Sequence, residues 1–146
     1  MRRAHVVKPA GTWPTNSVVD RVILSADDRQ RRRMMLTAEN GTEFLLDLPR
    51  PTTLCPGDGL VLDDGTVVAV AGEPEALSEM VPATPSDLVR LAWHLGNRHA
   101  GIQIMADRLR FRRDHVLEDM VRGFGASIKP VNAPFEPVTL APADRE

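Results

Sequence analysis

The chain has 146 residues, 42% of them apolar and 26% charged, the balance of a globular protein, and its length allows one medium domain or two small ones. Eighteen basic residues against 20 acidic ones leave a net charge of −2, so no global field draws nucleic acid or anionic lipid to it. The longest apolar runs, such as Val67 to Ala71, fall far short of the roughly 20 residues of a membrane span.

The start, Met1-Arg2-Arg3-Ala4-His5, is basic but runs into Lys8, Pro9 and Gly11 instead of an apolar stretch, which predicts no secretory signal. His5 falls in an expected first strand. From Val18 to Leu48 short apolar runs alternate with polar turns, at Val18-Val19, Val22-Ile23-Leu24, Met34-Met35-Leu36 and Phe44-Leu45-Leu46. Asn40-Gly41 marks a hairpin, and Asp63-Asp64-Gly65 joins Leu60-Val61-Leu62 to Thr66–Val70. Residues 1–72 therefore form an all-β domain, and Glu73-Pro74-Glu75 is the expected linker.

Amphipathic helices appear only after Gly72. Thr84-Pro85-Ser86-Asp87 offers a capping hydroxyl, a proline at the first helical position and an acid in the first turn. Leu88, Leu91, Ala92 and Leu95 then make one apolar stripe, with Gly96 and Asn97 as the stop. Ile102 and Ile104, then Leu109 and Phe111, alternate as two short strands around Ala106-Asp107. Asp114 caps a second helix whose stripe is Leu117, Met120, Val121 and Phe124, closed by Gly123 and Gly125. With Ala76–Val81 before and Ser127–Val131 after, the order is βαββαβ, a ferredoxin-like unit over residues 73–134. Pro134, Pro137 and Pro142 break any further periodicity, so residues 135–146 are expected to be an extended, partly mobile tail. The fold class is α+β.

Few residues can carry chemistry. The histidines are His5, His94, His99 and His115, and the one cysteine, Cys55, excludes an internal disulfide and fits a reducing cytoplasm. Imidazole suits nickel, copper or zinc, yet one subunit offers too few ligands for a closed site. His94 and His99 are five apart, about 140° around a helix, and cannot chelate from one helix. Each also reads as an ordinary surface or capping histidine, and Asp114 first of all as an N-cap. His115 with Asp114 or Asp119 lacks an accompanying nucleophile or phosphate loop, so no catalytic residue is assigned. Arg29-Gln30-Arg31-Arg32-Arg33 has the look of a phosphate patch, but with no tyrosine and 4% aromatic residues stacking platforms are scarce.

The stretch His94-Leu95-Gly96-Asn97-Arg98-His99, followed by Gln103-Ile104-Met105, Asp114-His115-Val116-Leu117-Glu118-Asp119-Met120 and Arg122-Gly123-Phe124-Gly125, resembles the urease accessory family UreE. Asp28-Arg29-Gln30, Leu48-Pro49-Arg50 and Asp63-Asp64-Gly65-Thr66-Val67-Val68 extend the likeness upstream. The resemblance implies a non-enzymatic, cytoplasmic, homodimeric nickel carrier. Its β domain would bind protein partners, and its ferredoxin-like domain would bind metal and dimerise. It implies His99 as the main ligand at the dimer two-fold, with Asp114, His115 and His94 as secondary metal residues. Zinc or copper could replace nickel. The implied partners are a second copy, the UreG GTPase and the apo-urease maturation complex, with no nucleic acid and no membrane.

An isologous contact turns one imidazole per subunit into a pair, and sparse ligation suits an ion that must be released. Ligation needs deprotonated imidazole, so affinity should fall in acid. The chain departs from the family in three places. No histidine follows His115, so nickel storage by a histidine-rich tail is not expected. Arg113 stands where some members have a further histidine, and with Arg112 it would oppose a cation. Pro51 replaces a common glycine. Two rival readings are a protein-binding adaptor of the urease maturation complex with incidental metal binding, and an RNA-binding module using Arg29–Arg33 and the face of Arg108, Arg110 and Arg112.

Overall fold

Two glycine turns set the register of the first half. Strands β3 (Arg33–Thr37) and β4 (Glu43–Asp47) pair antiparallel around Asn40-Gly41, where the Ala38 N–H donates to the Thr42 carbonyl and Gly41 takes φ 92°. Strands β5 (Gly59–Leu62) and β6 (Val67–Gly72) pair in the same way around Gly65 at φ 86°. Both glycines hold the left-handed conformation such turns demand. With β1 (Arg2–Lys8) and β2 (Val18–Leu24) they form a six-stranded sheet in the order β2-β6-β5-β1-β4-β3. Its β1–β4 and β2–β6 pairs are parallel.

The computed structural model describes residues 1–138, and the chain divides into two compact units between Glu73 and Pro74. In the first unit the sheet curls until the β3–β4 turn meets the β2 edge: the Glu39 N–H donates to the Arg21 carbonyl at 2.9 Å, and the buried Asp20 carboxylate accepts the Asn40 N–H. Phe44, Leu46, Leu54, Leu60 and Val68 fill the interior without measurable exposure. Glu73-Pro74-Glu75 is not a free linker. The Glu73 N–H donates to the Leu24 carbonyl, and Pro74 already begins the next strand.

The second unit runs β7 (Pro74–Val81), α1 (Asp87–Gly96), β8 (Gln103–Ile104), β9 (Leu109–Arg112), α2 (His115–Gly123), β10 (Ser127–Pro134). Its sheet order, β10-β7-β9-β8, with antiparallel neighbours throughout, is the ferredoxin-like arrangement expected. Leu91 and Leu95 of α1 and Val121 of α2 are fully buried against Met80, Leu109 and Phe111, with Leu88, Ala92, Leu117, Met120 and Phe124 partly so. Thus both apolar stripes face the sheet. Helix α1 starts two residues later than Thr84-Pro85 suggested. The Thr84 hydroxyl is spent on the Asp87 carboxylate, 2.9 Å away, and one turn closed by Asp87 N–H to the Thr84 carbonyl precedes the helix.

The chain after Val131 is more ordered than its prolines suggested. Strand β10 continues through Pro134, pairing Asn132 with Ala76 and Pro134 with Pro74. Being an edge strand, it tolerates prolines that cannot donate to a ladder. Phe135 is fully buried, and the Val138 N–H donates to the Ile102 carbonyl at 2.7 Å. The rest of the expected tail, 139–146, lies outside the described residues.

Candidate metal site

Helix α1 ends at Gly96 with Asn97 as its cap, where the sequence placed the stop, but neither of them makes the left-handed turn. Asn97 stays right-handed (φ −69°, ψ −13°), and the chain turns two residues later, at His99, whose φ of 59° is the only positive value of a non-glycine residue among those described. The His99 N–H donates to the Gly96 carbonyl (3.0 Å) and the Ala100 N–H to the Leu95 carbonyl (3.3 Å). This is the paired closure of a Schellman cap with histidine in the left-handed position usually given to glycine. A side chain there costs on the order of 1–2 kcal/mol of local strain. The cap fixes the backbone that carries the imidazole, and His99 is exposed.

The second histidine segment lies nearby. Asp114 caps α2, its Oδ1 accepting the Val116 and Leu117 N–H groups at 2.9 and 3.1 Å, and exposed His115 opens the helix. Ala100 and Gly101, just after His99, share the lining of a hollow of about 140 Å³ with Arg112, Arg113 and Asp114. The hollow thus lies between the residues that follow His99 and the Asp114 cap, and neither His99 nor His115 is among its lining residues. The arginines expected to repel a cation are each paired: Arg112 Nε donates to Glu75 Oε1 (3.0 Å) and Arg113 Nη2 to Glu118 Oε1 (2.9 Å). Their field at the hollow is correspondingly reduced.

His94 sits elsewhere. Its ring is 5.0 Å from that of Trp93 and 4.9 Å from that of Phe124, and one turn on, Arg98 Nε donates to the Met120 sulfur. The histidine is half-buried in the seam between the two helices. Among the described residues no three His, Cys, Asp or Glu side chains converge.

The basic segments are internally engaged. Arg29 is buried, its Nε donating to the Leu24 carbonyl; Arg32 Nε donates to the Leu48 carbonyl, and Arg31 and Arg33 lie within ion-pair distance of Asp28 and Asp47. On the second sheet, Arg108 and Arg110 converge with Lys129 on buried Glu79, at 2.9–3.3 Å. Burial alone would raise the Glu79 carboxyl, but hydrogen bonds from these three cations outweigh it and hold it below the usual range. The arginines of the rival RNA reading thus have partners within the chain, while Arg31 and Arg33 stay more than half exposed.

Sequence reasoning missed two features. Val89 and Trp93, at i and i+4, stand 76% and 64% exposed on α1, forming with exposed Gly96 a ridge toward the end that carries His99. Two large apolar residues opposite the core stripe were the available signal. The other is buried Phe135, set among prolines that drew attention away from it.

Comparison with known proteins bears on both units. The family model for the UreE urease accessory protein N-terminal domain matches residues 3–72, and that for its C-terminal domain matches residues 75–146. Over 137 residues, 94% of this chain, the sequence is 56% identical to the urease accessory protein UreE of Rhodopseudomonas palustris (strain HaA2). It is 53% identical over the same length to that of Bradyrhizobium sp. (strain ORS 278). The matches cover 63% and 65% of those proteins, so the chain spans a little under two thirds of their length.

Proposed function

Since the chain belongs to the UreE family of urease accessory proteins, we propose that it is a nickel carrier, not an enzyme, acting in the cytoplasm during assembly of the urease metallocentre. Two copies present His99 to each other and hold one Ni²⁺ between their imidazoles, with water or mobile donors completing the shell. The ion then passes to apo-urease through the maturation complex, with the UreG GTPase as the immediate partner. Asp114 and His115, at the start of α2, form a secondary, weaker landing place. His94 contributes packing first and ligation least.

The observation that carries this reading is an exposed imidazole set by a strained cap at the foot of an exposed apolar ridge. The ridge of Val89 and Trp93 supplies a face for the second copy, whose burial drives association. Two-imidazole ligation leaves the ion exchangeable, as delivery requires, whereas a four-ligand cage would retain it. Zinc and copper fit the same donors. Calorimetric titration with NiCl2 tests the proposal: the expected stoichiometry is one Ni²⁺ per two chains, lost in His99→Ala while the protein stays folded. Full-affinity binding in that variant would refute it.

One observation favours the adaptor reading for the first unit. Val19 and Ile23 of β2 and Met35 of β3 project outward from the sheet, 42–52% exposed. Capture of UreG by the chain with and without Ni²⁺ separates the readings. Equal binding in both conditions supports the adaptor.

A further inference from the structure

The loop that follows His99 packs one side chain, Ile102, into the core, and its backbone takes further support from a distant segment. After the Ala100 N–H bond to Leu95, the chain reaches β8, a strand of two residues at the sheet edge. The cover for that edge comes from the far side of the same sheet. Strand β10 ends at Pro134, and the next four residues cross to the β8 edge. The Glu136 N–H donates to Gln103 Oε1 (3.1 Å) and the Val138 N–H to the Ile102 carbonyl (2.7 Å). Between them Phe135 is fully buried, with the Arg112 guanidinium 5.0 Å from its ring centroid. The loop lies directly against the crossing chain: a Cβ at Gly101 would meet the Phe135 ring at 3.5 Å and Pro137 at 3.7 Å, ordinary packing distances.

We propose that Phe135–Val138 is a strap that positions His99 through the Ala100–Gln103 loop, and so sets how tightly the carrier holds its ion. The strap reaches no metal itself. Together with the buried Ile102 side chain it fixes the downstream end of a loop whose upstream end is the strained cap, and a cap with a left-handed histidine needs both ends held to persist. A released loop lets His99 relax toward unstrained φ values, and the imidazole then samples positions from which two copies cannot share one ion. Preorganisation of a ligand side chain is worth affinity because its ordering entropy is spent during folding and not on binding.

This inference rests on His99 being the nickel ligand, and its test separates the two. Val138→Pro deletes one N–H donor, and Gln103→Met, an independent variant, deletes the acceptor of the Glu136 bond. In the metal-free protein each is expected to accelerate hydrogen–deuterium exchange of the His99 and Ala100 amides at least ten-fold, with the amides of β7 and α2 unchanged. Each is also expected to weaken Ni²⁺ binding at least five-fold by calorimetry. Unchanged exchange in both variants overturns the strap. Accelerated exchange with wild-type Ni²⁺ affinity overturns its positioning role, provided that His99→Ala, titrated alongside, loses the ion. If His99→Ala also binds as wild type, both the strap's role in metal binding and the proposed function fall.

Discussion

His99 and Gly125 occupy the same place in the same backbone motif. At the end of α1 the His99 and Ala100 N–H groups close onto Gly96 and Leu95; at the end of α2 the Gly125 and Ala126 N–H groups close onto Arg122 and Val121. The left-handed residue has φ 59° in one and 82° in the other. One cap thus uses the residue physics prefers, and the other a residue that costs stability and gains an imidazole. The second cap is an internal control for the first.

This pairing predicts a substitution that improves the fold and removes the function. His99→Gly relieves the Cβ strain and is expected to stabilise the protein by about 1 kcal/mol, a rise of a few degrees in melting temperature, while Ni²⁺ binding is lost. Gly125→His, the reverse exchange at the control cap, should destabilise by a similar amount. Thermal denaturation with calorimetry checks both, and a destabilised His99→Gly would contradict the assigned strain.

Asp114 separates capping from ligation. Its Oδ1 is engaged with two backbone N–H groups of α2, so Asp114→Ala should cost about 1 kcal/mol of stability, as loss of an N-cap does. Binding of the interfacial ion should change less than two-fold. Urea denaturation and Ni²⁺ titration of the same preparation provide the comparison. A large affinity loss without loss of stability would make Asp114 a principal ligand.

Acid sensitivity of the first unit centres on Asp20. Burial opposes its charge, but backbone N–H groups of Asn40, Arg21 and Thr42 and the Thr42 side chain outweigh burial and lower its pKa to about 2. A carboxyl depressed in the folded state contributes stability that is whole above its unfolded pKa, about 4, and fades as pH falls through the folded value. Stability should therefore decline between about pH 4 and pH 2. Asp20→Asn, which keeps one acceptor oxygen, should flatten that decline and cost about 1–3 kcal/mol at neutral pH. Urea midpoints across the range measure both effects.

Much of this was legible in the chain, and the exceptions share a cause. Asn40-Gly41, Asp63-Asp64-Gly65, the Asp114 cap and both helix stripes are local signals, and each formed what its spacing indicates. The parallel pairs β1–β4 and β2–β6 join distant segments and left no short-range mark. Gly96-Asn97 marked the end of α1 correctly, but the left-handed turn of the cap falls at His99, a position that carries no glycine to signal it. Prolines after Val131 forbid a central strand but not an edge, which only the sheet order reveals. The motif around His99 pointed to the family but not to the hollow between Ala100 and Asp114 or to the contact of Val138 with Ile102, since these join segments that meet only after folding.

The apolar ridge on α1 provides the last test, because the proposed function makes it the face that ties assembly to metal binding. Val89 and Trp93 leave most of their surface in water, and burying two such side chains on each of two copies contributes several kcal/mol at about 25 cal/mol per Å². Trp93→Glu places charge on the ridge without touching the core stripe of Leu91 and Leu95, so each monomer should keep its circular dichroism spectrum and melting profile in dilute solution. Sedimentation equilibrium should show the variant monomeric at concentrations where the parent chain is dimeric. Since one His99 is half of the proposed ligand pair, Ni²⁺ affinity should fall at least ten-fold together with the dimer, and recover as protein concentration drives reassociation. A Trp93→Glu variant that dimerises normally would move the contact to another face. A monomer that still binds one Ni²⁺ per chain at the parental affinity would show that the ion does not need the second imidazole.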